Sequence, residues 1–184
     1  YASYSTGFKS GGFQGQAPTG AAARTPFKPE KATSFEIGVK SFLFDRRLSV
    51  NLALHDTDYE DLQVRQNAAR PGETIPILRI TNAGKAKARG VELELNARPV
   101  EALDLWVNYG YLDSEYKQLI DTTGVNRAGN PLQFAPENTL NVGGRLLLPV
   151  AENWNLSTRL DYRWQDEFYF DPAANAVNFE PSYG

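Results

Sequence analysis

The chain has 184 residues, a net charge of -3, an apolar fraction of 41% and a mean hydropathy of -0.45. That length fits one domain, and the small negative charge gives no basis for nucleic-acid binding. It contains no cysteine, which excludes a disulfide framework and thiolate metal sites, and no apolar run approaches the ~20 residues of a membrane helix. A membrane barrel is not excluded, because its strands alternate and average out as polar. Aromatic residues reach 12%, which suits interfacial girdles. The chain also lacks methionine and begins at Tyr1 inside a strand pattern, so we expect a segment of a longer protein.

Residues 1–8 read as the end of a strand, and 9–32 as a long loop rich in Gly, Pro, Ala and Thr. From Thr33 to Phe44 the pattern alternates, with Phe35, Ile37, Val39 and Leu43 on one face and Glu36 and Lys40 on the other. Successive strand side chains point to opposite faces, so alternation of this kind marks a half-buried strand. Asp45-Arg46 is expected to form a two-residue turn. It leads into the hairpin from Arg47 to Arg98 around which the chain is organised.

In that hairpin Leu48, Val50, Leu52 and Leu54 share a face in the first arm, as do Val91, Leu93, Leu95 and Ala97 in the second. Folding about Pro71-Gly72, a good turn dipeptide, sets Leu54 opposite Val91, Leu52 opposite Leu93, Val50 opposite Leu95 and Leu48 opposite Ala97. The same register sets Asp56 against Arg89, Asp58 against Lys87 and Glu60 against Lys85. Cross-strand pairs of opposite charge support it. It also sets Val39 opposite Leu52, Ile37 opposite Leu54 and Glu36 opposite His55. An apolar belt below a charged belt follows. At outer headgroup level these six side chains would be self-paired and solvated, or would contact anionic lipid phosphates directly and through divalent cations. One β-bulge between the belts would turn the charges to the other face.

Pro99-Val100-Glu101 reads as a short connection. Residues 103–116 follow as a strand, with Leu105, Val107, Tyr109 and Tyr111 on the apolar face. Residues 117–136 form a second long loop. The last hairpin pairs 140–148 with 154–164, joined around Pro149-Val150, and residues 166–184 begin another loop. The expected fold is an all-β antiparallel up-and-down meander of about seven long strands. Its connections are alternately short and long, as in outer-membrane barrels, which have short periplasmic turns and long extracellular loops. The arms of the main hairpin, roughly 20 residues or ~65 Å each at ~3.3 Å rise, exceed the ~9–11 residues needed to span a bilayer. Their upper parts should project beyond the membrane.

The stretches Tyr4-Ser-Thr-Gly-Phe-Lys-Ser-Gly-Gly-Phe13, Phe27-Lys-Pro-Glu30, Ser34-Phe-Glu-Ile-Gly-Val-Lys-Ser41, Asp58-Tyr-Glu-Asp-Leu-Gln63, Asn82-Ala-Gly-Lys-Ala86, Gly90-Val-Glu-Leu-Glu94 and Tyr109-Gly-Tyr-Leu-Asp113 occur in this order. On them the chain resembles the β-barrel of TonB-dependent outer-membrane receptors. The resemblance implies a 22-stranded barrel with an N-terminal plug in the outer membrane of a Gram-negative bacterium. It implies import of a scarce ligand, commonly a ferric siderophore, driven by TonB through an N-terminal region that this sequence does not show. Residues 1–184 then represent a later-middle part of the barrel, without plug, early strands or last strands. Expected partners are TonB, a ferric siderophore or other nutrient ligand, and outer-membrane lipid.

No catalytic set, cofactor site or metal site is expected. His55 is the lone histidine, which rules out a triad or a His-based zinc site within the chain. Asp56-Thr-Asp-Tyr-Glu-Asp61 lacks the glycine and distant glutamate of a calcium loop. Tyr4, Gln63, Arg65 and Arg79, expected on the inner wall above the membrane, are the candidate substrate contacts. A competing reading is a soluble extracellular β-domain that binds carbohydrate, which would pack its apolar faces against a second layer. An outer-membrane barrel enzyme would need a catalytic set at the rim, which this segment lacks.

Overall fold

The computed structural model describes residues 1–15, 20–68, 77–175 and 178–184. Its strands are β1 (Ala2–Lys9), β2 (Gly12–Phe13), β3 (Pro26–Phe27), β4 (Glu30–Leu43), β5 (Leu48–Ala68), β6 (Ile77–Val100), β7 (Leu103–Gln118), β8 (Asn138–Ala151), β9 (Trp154–Gln165), β10 (Phe168–Tyr169) and β11 (Phe179–Glu180), with one helical turn, α1 (Gly20–Ala23). Seven of them form one antiparallel sheet in the order β1-β4-β5-β6-β7-β8-β9. Two-stranded pairs β2-β3 and β10-β11 decorate the long loops. This is the up-and-down meander expected from the alternation.

The main hairpin has the expected register at each apolar pair, Leu48↔Ala97, Val50↔Leu95, Leu52↔Leu93 and Leu54↔Val91, and at each charged pair, Asp56↔Arg89, Asp58↔Lys87 and Glu60↔Lys85. Val39↔Leu52, Ile37↔Leu54 and Glu36↔His55 continue it into β4. The Pro71-Gly72 turn lies outside the described residues. No second layer covers the apolar face among the described residues. Ile37, Val39, Leu52, Leu54, Leu105 and Leu160 all lie on it in the open. A sandwich would bury these side chains between sheets; here the buried cluster is Val64, Ala86, Tyr116 and Leu119, at the long-loop end.

The belt is slanted across the sheet. Leu160, the middle of the apolar positions 156–164 in β9, connects through Gly144, Leu105, Ala97 and Leu48 to Leu43, the last residue of β4. The middle of the corresponding positions 35–43 in β4 is Val39. A slide of about four residues, ~13 Å, over about five strand steps, ~24 Å, is a strand tilt of roughly 30°. A barrel strand tilted against its axis produces this slant when the belt stays level with a bilayer.

On the opposite, polar face, close packing is arranged around glycines. The His55 ring lies over Gly90 and the Trp106 ring over Gly143, each so close that an added Cβ would collide with the ring. Aromatic cover of a strand glycine restores side-chain packing where glycine supplies none. The same face carries Asn51 donating to Glu94 at 3.0 Å, Tyr1 donating to Glu36 at 2.7 Å, and Asp104 between Arg98 at 2.6 Å and Arg145 at 2.7 Å. Its alternates to the greasy belt are therefore polar and mutually bonded, as a wet interior requires.

The short turns differ in detail from expectation. The expected two-residue turn is a four-residue loop, 44–47, between paired Leu43 and Leu48; Phe44, Asp45 and Arg46 are all left-handed, and the Arg47 N–H donates to the Phe44 carbonyl at 3.0 Å. Positive φ at both central residues is the hairpin geometry that matches strand twist. The other two turns come later than expected. β6 runs through Pro99 to Val100, and β8 runs through Pro149 to Ala151, leaving the turns at residues 101–102 and 152–153. Each proline sits at a register shift, between Ala97 and Val100 and between Pro149 and Ala151. A proline has no N–H for the ladder, and a bulge leaves a position that needs none. Proline there marks a bulge before the turn rather than the turn itself.

The long-loop boundaries also shift. β4 begins at Glu30, and β7 continues to Gln118. Strands extend into segments whose Gly and Pro content reads as loop because neighbouring strands supply ladder partners, such as Lys9↔Glu30 and Lys85↔Gln118.

Two substitutions test this arrangement in the full-length protein folded into lipid vesicles. Leu93→Arg, in the middle of the apolar belt, should cost about 2–4 kcal/mol, whereas Asn96→Arg on the polar face should stay within about 0.5 kcal/mol; equal costs by urea unfolding would contradict the face assignment. Arg46→Gly relieves a left-handed residue, worth about 1–2 kcal/mol, and loses an exposed guanidinium stacked 4.8 Å from the Phe42 ring centre, worth about 0.5–1 kcal/mol. The backbone effect is larger, so the urea midpoint should rise.

Candidate functional site

The long-loop end is built on a reset of strand alternation. Tyr59 and Leu62 pack on the same buried cluster that contains Val64, although Tyr59 is an odd number of residues from both. Between them the ladder passes from Glu60↔Lys85 to Leu62↔Ala83, and Asp61 takes a left-handed φ of 53°. Gly84, across from it, has the Gln118 side chain where a Cβ would stand. Asp61 and Gly84 drop out of pairing together, so the register survives while the faces exchange. Above this point Val64 and Gln66 are buried, and Gln63 and Arg65 alternate with them.

The break lies above the charged belt, so the six belt residues keep the face of Leu48–Leu54. Lys87 Nζ lies 2.9 Å from Asp56 and 3.5 Å from Asp58, and Arg89 Nε lies 3.0 Å from Asp56. β7 extends the row, with Asp113 beside Arg89 and Glu115 beside Lys87, and Lys117 pairs with Glu115. Lys31 stands beside Glu60 from the other side. Acidic and basic positions thus alternate across four strands.

Above the reset, a cavity of about 950 Å³ opens between three loops. Its walls include Lys9 from the end of β1, Ser10 and Phe27 from the first long loop, Gln63, Arg65, Gln66 and Ile80 from the main hairpin, Asp121, Arg127 and Phe134 from the second long loop, and Phe170 and Asp171 from the last. Phe134, Phe168 and Phe170 form a three-ring cluster with centroids 5.4–6.2 Å apart. The second and last loops are tied together by Phe134 N–H to the Tyr169 carbonyl at 2.9 Å, Gln133 to the Phe170 carbonyl at 3.0 Å and Asn130 to the Pro172 carbonyl at 2.9 Å.

Asp121 organises the second loop. Its carboxylate accepts from the Thr123 N–H at 2.8 Å, the Thr123 hydroxyl at 2.6 Å, the Val125 N–H at 3.0 Å and Arg127 at 2.7 Å. Burial pushes this carboxyl up, but the Thr123 hydroxyl, the Arg127 guanidinium and the two backbone N–H groups outweigh it and hold it well below the usual carboxylate range. Buried Gln66 joins the loop to the sheet, donating to the Thr81 hydroxyl at 2.7 Å and accepting from the Thr122 N–H at 3.0 Å. Beneath them burial pushes the Tyr116 hydroxyl up to about 12.

The four sequence candidates separate. Gln63 and Arg65 line this cavity. Arg79 pairs with Gln66 on β6 and is not among the lining residues. Tyr4 pairs with Phe35, on the apolar face with Ile37, and is 71% exposed there. Its place on the inner wall was expected from the end of a strand with no known partner, and pairing with β4 fixes the opposite face. Alternation did not point to Phe27, Phe134, Phe170, Gln66, Asp121 or Arg127. The run Asp121-Thr-Thr-Gly124 carried a usable signal, since Asp followed by Thr and Gly favours a side-chain-capped turn. The Phe168-Tyr-Phe170 run and Phe134 come together only through loop packing.

A second concavity of about 540 Å³ lies on the polar face, lined by Trp106, Asn108, Asn141, Arg159, Asp161 and Arg163. Arg159 stacks over Trp106 at 4.7 Å and donates to Asp161 at 2.7 Å. Among the described residues no group of His, Cys, Asp and Glu is arranged to hold a metal ion.

The family model described as TonB dependent receptor-like, beta-barrel matches residues 1–184. The chain is 30% identical over 146 residues, 77% of its length, to "Probable TonB-dependent receptor BfrD" of Bordetella pertussis, and 32% identical over 87 residues, 47% of its length, to "Probable TonB-dependent siderophore receptor PiuA" of Acinetobacter baumannii. Those matches span 18% and 10% of the two relatives. Among solved structures, the ferric yersiniabactin uptake receptor FyuA of Yersinia pestis superposes with a TM-score of 0.76 at 23% identity, covering 99% of this chain and 25% of that one. The fold, the slanted apolar belt and the family match over residues 1–184 agree: the chain belongs to the TonB-dependent receptor β-barrel family of the Gram-negative outer membrane.

Proposed function

We propose that this chain is a later-middle portion of a 22-stranded receptor barrel that imports a ferric siderophore, energised by TonB through an N-terminal plug and TonB-contacting region encoded outside residues 1–184. The observation that carries the reading is the cavity at the long-loop end, where Arg65, Lys9 and the Phe134–Phe170 cluster meet above a lipid-facing belt. Cationic side chains beside aromatic rings suit a bulky anionic chelate, since the cations attract it before contact and the rings bury its planar parts. The name of the Acinetobacter relative as a siderophore receptor supports the same cargo class. Gln63, Arg65 and Arg79 belong to the wall or its supporting hairpin in this reading, and Tyr4 belongs to the aromatic fringe of the apolar face.

The belt of Asp56, Asp58, Glu60, Lys85, Lys87 and Arg89 stands on this reading at the level of the outer lipid headgroups. Self-pairing satisfies much of its charge. Arg89 remains close enough to the surface to meet a lipid phosphate, because it is half exposed while paired with Asp56.

In a strain lacking the intact gene and dependent on it for iron, uptake of iron-55 carried by hydroxamate and catecholate chelators should return with the native gene. Arg65→Glu should raise the uptake KM about tenfold, the equivalent of about 1.4 kcal/mol, at unchanged receptor level. Restoration of growth by a different nutrient, with no ferric chelate taken up, would sink the siderophore assignment and leave the barrel family intact.

The Asp121 network sets a second expectation. Its folded carboxyl lies below the unfolded value of ~3.9, so its stabilisation is complete above that pH and is lost as the pH falls through the folded value. Tryptic cleavage after Arg127 in the second loop should therefore be slow at neutral pH in the native protein, and faster at neutral pH in Asp121→Asn. Equal cleavage rates would remove the network's structural role.

A further inference from the structure

Long surface loops usually carry few buried contacts and open easily. The first long loop, between β1 and β4, is fastened differently. Gln14, with 6% of its surface exposed, donates to the Ile80 carbonyl at 2.6 Å and accepts from the Ile80 N–H at 3.0 Å. Its amide thus satisfies both backbone groups of one residue, as a neighbouring strand would. Asn82 repeats this device in the other direction. It accepts from the Lys28 N–H at 2.8 Å and donates to the Lys28 carbonyl at 3.0 Å and to the carbonyl of left-handed Asp61 at 2.7 Å.

Gln63 joins both limbs of the loop. Its amide nitrogen faces the Ser10 carbonyl at 2.9 Å, the Lys28 carbonyl at 3.2 Å and the Lys9 carbonyl at 3.5 Å. Its backbone N–H donates to Glu30 at 2.8 Å. The limbs also approach each other closely, since a Cβ at Gly11 would stand 2.5 Å from the Phe27 carbonyl oxygen. Three carboxamides on three different segments therefore converge on the backbone of one loop and its neighbouring hairpin.

We propose that Gln14, Gln63 and Asn82 form a carboxamide clamp that fixes the first long loop on the β5-β6 hairpin before any ligand is bound. The three are positioning residues: they hold Lys9, Ser10 and Phe27 at the cavity wall. A wall ordered in advance adds no ordering cost at the moment of binding. Only a carboxamide serves at Gln14 and Asn82, because each position needs a donor and an acceptor a peptide's width apart. A carboxylate would present a second acceptor to a carbonyl, and the carbonyl would lose its donor.

Hydrogen exchange by mass spectrometry on the full-length receptor in lipid nanodiscs, without ligand, reads the clamp independently of the cargo. Segments 26–31 and 79–81 should be protected in the native protein. Asn82→Asp should speed exchange of 26–31 at least tenfold at neutral pH, and protonating that carboxyl below about pH 4 should restore its donor and much of the protection. Gln14→Leu should speed 79–81 at any pH, and Gln63→Glu should loosen both limbs. Segments 48–55 and 91–97 should be unchanged and so report that the barrel is intact. Native exchange at the rate of an unstructured peptide, or unchanged protection in Asn82→Asp and Gln14→Leu, would overturn the proposal.

Discussion

In hydrocarbon no water is available to a backbone amide, so a membrane-spanning sheet must pair every N–H and C=O with a neighbouring strand. The β5-β6 ladder meets that demand over its full described length, broken only at Asp61 and Gly84. Pairing also fixes which side chains share a face. One residue of slippage would send Leu48, Val50, Leu52 and Leu54 into the polar interior and Asn51, Ala53 and His55 into lipid. The charged pairs above the belt oppose that slip, because Asp56, Asp58 and Glu60 meet Arg89, Lys87 and Lys85 in only one register. The neighbouring strands inherit the same alignment through Val39↔Leu52 and Leu95↔Val107.

The Asp61–Gly84 break separates two kinds of wall. Below it the sheet is a membrane wall with grease on one face and bonded polar groups on the other. Above it the faces exchange, and Val64 joins Ala86, Tyr116 and Leu119 in the chain's buried cluster. That cluster gives the long loops something to pack on. Gln66, Asp121 and the Phe134–Phe168–Phe170 rings then connect the second and last loops to the sheet, while the carboxamides fasten the first. A cavity open to the outside is thereby bounded by polar and aromatic side chains on a supported frame.

Much of the lower structure was legible in the residues, because alternation and cross-strand charge are local, period-two signals. They specify the pairings of Leu52 and Asp58 without any knowledge of the loops. Pro99 and Pro149 misled by about two residues, since proline is acceptable at a bulge as well as in a turn. Tyr4 went to the other face because a terminal strand takes its orientation from its partner, and only Tyr4↔Phe35 supplies it. The cavity was the least legible part. Phe27, Phe134 and Phe170 are 36 or more residues apart from one loop to the next and meet through packing that no periodicity encodes. The left-handed Asp61 gave no strong warning, since aspartate is one of several residues that tolerate that conformation.

The most direct test of the lipid-facing belt is a spin-label scan of residues 48–55 in the full-length receptor in bilayers. Collision rates with oxygen, which concentrates in lipid, should peak at 48, 50, 52 and 54. Collisions with a water-soluble nickel chelate should be strongest at 49, 51, 53 and 55. Two out-of-phase, period-two profiles would support the account. A flat oxygen profile, or low collision with both reagents at 50, 52 and 54, would mean that these side chains pack against protein and would contradict it.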